Sequence, residues 1–265
     1  MFYLLIFILG LSVGSFLNVV ICRLETEESI VAKRSHCPQC GAVLSWRDLI
    51  PVLSFVFLLG KCRSCGKKIS WQYPVIEIAT ACLFLLIFNF QFSIFNEFSI
   101  LNFQTLNLFY YLIIICFLII IFVYDSRHYI IPDKVVFPAI IIAGIFNFQF
   151  SIFNEFSIFK FSILSAILAG GFFLSLVLFS KGKWMGMGDV KLAFLMGLIL
   201  GWPNILAALF LAFLSGAVVG VALIIFGKKG LKSQIPFGPF LAGATVLMML
   251  YGQYSIDWIE RMFFF

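Results

Sequence analysis

Apolar runs, most of them about as long as a bilayer core is thick, recur from one end of this 265-residue chain to the other. A hydrocarbon layer of about 30 Å takes roughly 20 apolar residues in helical form. The runs lie at about 1–21, 74–90, 106–124, 134–150, 159–179, 190–201, 204–226 and 236–252. Residues 190–226 are too many for one helix, and Trp202-Pro203-Asn204 is a turn signal between two. The count is eight spans. With 63% hydrophobic and 11% charged residues, 35 of them Phe, a water-soluble fold would leave far too much apolar surface exposed. Soluble enzyme, disordered chain and secreted disulfide scaffold are excluded. The first run lacks a basic start and a small-residue cleavage site, so it reads as a retained anchor.

The basic residues orient the spans. Segment 22–73 carries Arg23, Lys33, Arg34, Arg47, Lys61, Arg63, Lys67 and Lys68, and the next connection carries none. Arg127 and Lys134 follow, then a loop with Lys160 alone, then Lys181, Lys183 and Lys191, and finally Lys228, Lys229 and Lys232. Alternate loops thus hold sixteen of the eighteen Lys and Arg residues. Positive loops stay inside, which places both termini on the non-cytoplasmic side. The net charge of +6 reflects this topology and needs no nucleic-acid partner. The lipid bilayer is the partner that composition requires.

Residues 87–100 and 145–158 read the same fourteen letters, IFNFQFSIFNEFSI, each across the outer end of a span. Identity that complete points to a recent duplication in tolerant loops rather than to an old repeat architecture.

Four of the seven cysteines form Cys37-Pro-Gln-Cys40-Gly and Cys62-Arg-Ser-Cys65-Gly, a C-x2-C-x21-C-x2-C pattern. Paired thiolates on a tight turn suit one zinc ion, and two such turns complete a closed, structural four-cysteine site. A redox CxxC is the competing reading, and two copies at this separation favour metal. Cytoplasmic placement argues against disulfides. His36 adjoins the first pair as a bystander, while Cys22, Cys82 and Cys116 read as small hydrophobes.

Among twelve acids, four stand at span ends: Asp125, Asp133, Asp189 and, just inside the second span, Glu77. Asp125 and Asp189 both fall at cytoplasmic ends and at similar depth. Two carboxylates meeting there could share one proton, one activating water while the other polarises a carbonyl. An Asp at a helix boundary is also commonly a cap, and that reading stands beside the catalytic one. Gly186 and Gly188 would let backbone approach this centre closely. Asp133, after Pro132, reads first as a helix cap and second as a hydrogen-bond partner near the pair. Lys191 could bias Asp189 towards ionisation or mark the inner boundary. Glu77 could order the first two spans. Asn18 reads as an interhelical hydrogen bond. Gln234-Ile235-Pro236-Phe237-Gly238-Pro239-Phe240 opens the last span as a broken helix entry suited to a site rim.

In this order, Gly14 to Arg23, the two CxxC turns, Tyr73-Pro74 with Glu77, Asp125 with Ile131-Pro132-Asp133, and Gly186-Met187-Gly188-Asp189-Val190-Lys191 resemble the type IV prepilin peptidases, membrane aspartyl proteases of the GxGD class. The resemblance covers nearly the whole chain. It implies a bacterial inner-membrane protein whose catalytic pair, Asp125 and Asp189, faces the cytoplasm. It implies prepilin or pseudopilin substrates, whose short basic leader is cut off after a glycine. It also implies N-methylation of the new terminus with S-adenosylmethionine as donor. No Rossmann-type glycine loop is present, so donor-binding residues are unknown. The expected organisation is a first transmembrane helix at 1–21, a cytoplasmic zinc-stapled loop domain at 22–73, a seven-helix protease domain at 74–252 and a non-cytoplasmic tail at 253–265. The alternatives are a peptidase alone, of preflagellin or signal-peptide type, and a proton-coupled transporter.

Overall fold

The computed structural model describes residues 2–26, 29, 34–94, 101–153, 156–227 and 234–263. Among these every long element is a helix: α1 (Phe2–Thr26), α2 (Leu53–Phe57), α3 (Gln72–Ile94), α4 (Leu101–His128), α5 (Asp133–Phe153), α6 (Phe156–Ser180), α7 (Met187–Leu200), α8 (Asn204–Ile225) and α9 (Gly238–Phe263). The fold is all-helical, with eight helices on the eight apolar runs and, inside the polar loop, α2 and a short 3-10 helix over Trp46–Leu49. Five helical stretches are long and apolar enough to cross a bilayer: Phe2–Thr26, Gln72–Phe90, Thr105–His128, Lys160–Ser180 and Asn204–Ile225. At 14 residues α7 spans only about 21 Å, because Gly201, at φ 63°, ends it before Pro203. Both repeat copies, 87–100 and 145–158, lie partly outside the described residues.

The chain divides into two compact units, Met1–Ile120 and Ile121–Phe265. In the first, α1 packs along α3. Small residues make that approach possible: a Cβ on Gly10 would meet the Ala81 backbone, and one on Gly14 would lie 2.7 Å from Glu77 Cα. Asn18, fully buried, donates to Gly14 O (3.2 Å) and across to Tyr73 O (3.1 Å). An apolar helix thereby satisfies a buried amide through a neighbouring helix. The α1 helix runs one turn beyond its apolar stretch and ends with Arg23 buried, its guanidinium on Ser29 O (3.0 Å).

In the second unit α7 is the central helix, flanked by α5, α6, α8 and α9. Its sequence is apolar around the whole circumference, the pattern of a helix enclosed on all sides, and Leu192, Ala193, Leu195 and Met196 are fully buried. Asn147 of α5 donates to Leu198 O of α7 (2.9 Å). Gly197 sits directly against Ala166 and Ser165 of α6. We expect Gly197→Val to lower the thermal unfolding midpoint in detergent, at a cost of about 1–3 kcal/mol for overpacking. Gly171→Ala, where an added Cβ meets nothing within 4 Å, should leave it unchanged. Equal midpoints for the two variants would contradict the close α6–α7 contact.

Candidate functional site

Two places in the chain gather chemistry. The first is in the 22–73 loop. The sulfur atoms of Cys37, Cys40, Cys62 and Cys65 all lie within 4.8 Å of one another. Both CxxC turns are built the same way. Gly41 and Gly66, at φ 71° and 70°, follow the second cysteine of each pair, a left-handed position that glycine takes without strain. Gly41 N–H donates to Cys37 O and Gly66 N–H to Cys62 O, each at 2.9 Å. Cys37 N–H reaches Ala42 O (2.9 Å) and Cys62 N–H reaches Lys67 O (2.8 Å). Short antiparallel bridges, His36 with Val43 and Lys61 with Lys68, flank the turns. His36 is engaged through its backbone, and its Nδ1 lies 3.4 Å from Arg34 O.

This donor set fits zinc. Tetrahedral thiolates at about 2.3 Å from the metal stand roughly 3.8 Å apart, a small contraction from the observed cluster. Backbone N–H groups of Cys65 and Ser64 pull the Cys62 thiol down to about 7, towards the thiolate that metal requires. Asp48 ties the module together: it accepts from Ser45 N–H (3.1 Å) and Ser45 Oγ (2.6 Å) and pairs with Arg63 of the second turn (2.9 Å). The Ser45 hydroxyl first, and Arg63 after it, hold its carboxyl below the usual range. We expect Cys37→Ser to lose its bound zinc equivalent and to make the loop protease-sensitive, since so small a module cannot hold itself without a staple. A metal-free loop of undiminished protease resistance would remove the zinc assignment.

The second place lies in the Ile121–Phe265 unit. Asp125 stands in the last turns of α4 and is 4% exposed. Its Oδ2 accepts Gly238 N–H at 3.0 Å, from the start of α9. Asp189 is the third residue of α7. Its Oδ2 accepts Gly186 N–H (3.1 Å), while its own N–H reaches Gly186 O (3.2 Å). This pair of bonds caps the helix and fixes the carboxylate at its N-terminus, where the helix dipole favours negative charge. Asp189 lies within electrostatic reach of Asp125. Ile131 packs against the starts of both α7 and α9. A Cβ on Gly188 would fall 2.9 Å from Ile131 Cβ, and one on Gly238 would fall 3.2 Å from Ile131 Cδ1. One buried side chain thus spaces the start of α7 from the start of α9. Gly188 is required by that packing, whereas Gly186, at φ −86°, serves as the cap.

The start of α9 is itself anchored. Phe237 packs on Phe213 of α8 and Phe173 of α6, with ring centroids 5.0 and 6.2 Å away. Phe173 is fully buried. The aromatic cluster therefore holds the next residue's N–H, that of Gly238, on Asp125.

The other sequence candidates sit as follows. Lys191 Nζ pairs with Asp133 Oδ1 at 2.6 Å and lies 5.0 Å over the Phe137 ring. Lys191 is thus engaged with α5, and Asp133 with α7, in a bond that ties the two helices beside the pair. Glu77, buried, accepts Val52 N–H at 2.7 Å and so binds the polar loop to α3. Gly238 stands in the sequence only as part of the 234–240 rim motif and Ile131 only within Ile131-Pro132-Asp133, while Val52 carries no signal of its own. Their signal is tertiary, although a glycine between two prolines at a helix entry does announce a close approach.

Residues 8–90 match the bacterial peptidase A24 N-terminal domain and residues 112–221 the type IV leader peptidase family. A prepilin leader peptidase/N-methyltransferase of Bacillus subtilis is 34% identical over 97% of this chain and 98% of its own length. The chain belongs to the type IV leader peptidase family. A protein of the same name from Myxococcus xanthus is 33% identical over 88% of this chain and 67% of its own length. One from Legionella pneumophila is 30% identical over 97% and 93%. No solved structure matches the chain. For this family member, the four cysteines fall inside the N-terminal match, and Asp125 and Asp189 inside the second.

Proposed function

We propose that this leader peptidase family member is a membrane aspartyl endopeptidase that removes the basic leader of prepilins or pseudopilins after a glycine, with Asp125 and Asp189 as its catalytic pair. The observation that carries the reading is the buried Asp125 carboxylate, fixed by Gly238 N–H, with Asp189 at the capped start of α7 and Ile131 packed against both helix starts. One carboxylate takes a proton from water as the oxygen attacks the scissile carbonyl. The other, protonated, donates to the carbonyl oxygen. The tetrahedral intermediate then collapses, the C–N bond breaks and the departing amine receives a proton from the pair. Gly186, Gly188, Asp133 and Lys191 support this geometry by capping, close packing and the α5–α7 ion pair, and Glu77 fastens the loop to α3.

The relatives' names carry a second activity, N-methylation of the new terminus, which we extend to this chain with S-adenosylmethionine as donor. Zinc held by Cys37, Cys40, Cys62 and Cys65 would staple the loop and take no part in the chemistry. The topology that suits these activities has eight spans in a bacterial inner membrane, both termini outside and the pair facing the cytoplasm. The domains then run 1–21, 22–73, 74–252 and 253–265. The family match leaves the transporter alternative without support. Mass spectrometry of a co-expressed pilin precursor tests the whole reading. The mature N-terminus should begin directly after the leader glycine and carry one added methyl group. A cut but unmethylated terminus would reduce the activity to the peptidase, and an uncut precursor would overturn it.

A further inference from the structure

Composition places segment 22–73 in water, yet residues 49–60, Leu-Ile-Pro-Val-Leu-Ser-Phe-Val-Phe-Leu-Leu-Gly, carry no charge. Twelve such residues are too few to span a bilayer and are the length of a re-entrant or interfacial segment. Within them Phe55 packs on Trp71 (5.0 Å between centroids) and against Gly60. Leu53, Val56, Phe57 and Leu59 point out, with Phe57 81% and Leu59 84% exposed. An apolar ridge of this kind marks an interaction surface.

Depth identifies the partner. Val52 N–H, at the start of α2, is bonded to Glu77 Oε2 (2.7 Å). Glu77 lies five residues into α3, about 7.5 Å along its axis. On the other side its backbone packs on Gly14, nine residues before Arg23 and so about 13 Å below it along α1. The start of α2 is therefore fastened at a level inside the apolar stretches of two candidate spans. The backbone is prepared for that level. The N–H groups of Ser54, Val56, Leu58, Leu59 and Gly60 reach Ile50, Val52, Ser54, Val56 and Phe55 carbonyls, as a lipid-facing segment requires. The charges stop at both ends, and the Asp48–Arg63 ion pair (2.9 Å) closes the two legs above the apolar tip. Trp46, with Arg47 5.3 Å over its ring, and Trp71 stand exposed beside those legs, the residue type that occupies the headgroup level.

We propose that residues 49–60 are a re-entrant segment that dips into the headgroup–acyl boundary of the bilayer, on the side where α1 ends, and holds the four-cysteine module against the membrane surface. The test uses the full chain in phosphatidylglycerol-containing liposomes whose acyl chains are brominated near the headgroup. Tryptophan reporters replace Phe57→Trp and, separately, Leu59→Trp, and the parent's own signal is subtracted. Lys67→Trp, in the second cysteine turn, is the aqueous control. Both ridge reporters should emit at shorter wavelength than the control, lose fluorescence to brominated lipid and resist acrylamide. Quenching of both by acrylamide, with none by brominated lipid, would overturn the proposal in favour of an aqueous loop. Protection from both quenchers would overturn it too, in favour of a protein surface covering the ridge.

Discussion

Asp125→Asn and Asp189→Asn should each lower leader cleavage by about 10³-fold or more, while the protein still reaches the membrane at parental level. Asn keeps the shape of the side chain and an oxygen that can accept a hydrogen bond. The Gly238 N–H at position 125 and the Gly186 N–H at position 189 therefore keep an acceptor, and the helix starts they fasten are preserved. What disappears is the ability to take up and release a proton, for which general acid–base catalysis typically supplies 10²–10⁴-fold. If the two groups act as one unit, the double variant should fall little further than either single one. Asp133→Asn provides the contrast. Its carboxylate is exposed and pairs with Lys191 across the α5–α7 contact, and a pair of that kind is worth about 1 kcal/mol or less. Its cleavage rate should fall by no more than about tenfold. The measurement is the rate of leader removal from a prepilin in detergent. Retained cleavage by both Asn variants, or an equal loss at all three positions, would sink the assignment of the pair.

Much of this architecture was legible because a bilayer makes sequence unusually explicit. An apolar run long enough to cross must be a helix, since backbone groups in lipid have no other partner, and eight runs became eight helices. The cysteine module was legible through spacing: two-residue gaps and a following glycine determine each turn, and both turns form alike. Asp125 and Asp189 were legible because carboxylates are rare at the edge of an apolar run. Less could be read of what those side chains touch. Lys191, two residues after Asp189, suggests a partner in its own helix turn, yet it bonds Asp133, 58 residues away. Glu77 carries no sign that its acceptor oxygen serves a backbone N–H of the polar loop. The bond from Gly238 to Asp125 crosses 113 residues of chain and uses a donor that every non-proline residue possesses. Hydrophobic periodicity reports which face is buried and says nothing of which neighbour fills it. The charge-free stretch 49–60 was hidden differently, by lying within a segment whose eight basic residues made the whole of it look water-exposed.

Gly238→Ala should cost about 10²-fold in the cleavage rate constant, approaching the loss expected for an acid–base group itself, without unfolding the protein. The added Cβ would lie 2.6 Å from Asp125 Oδ2, 3.1 Å from its Cγ and 3.2 Å from Ile131 Cδ1. Of these, only the Asp125 carboxylate, the free end of a side chain, can give way. Phe237, one residue earlier, is held in the Phe173–Phe213 cluster, so the start of α9 cannot retreat. Ile131 is wedged against Gly188 and cannot yield without disturbing the turn that carries Asp189. The Asp125 carboxylate must therefore rotate away, losing its backbone donor. If Gly238 acts only through Asp125, the loss should appear in kcat with KM little changed. A double variant separates this from general damage. If Gly238 acts through Asp125, Gly238→Ala combined with Asp125→Asn should be no slower than Asp125→Asn alone, whereas independent damage would multiply the two losses. Parental kcat in Gly238→Ala, or multiplying losses in the double variant, would show that the α9 start does not hold the catalytic carboxylate.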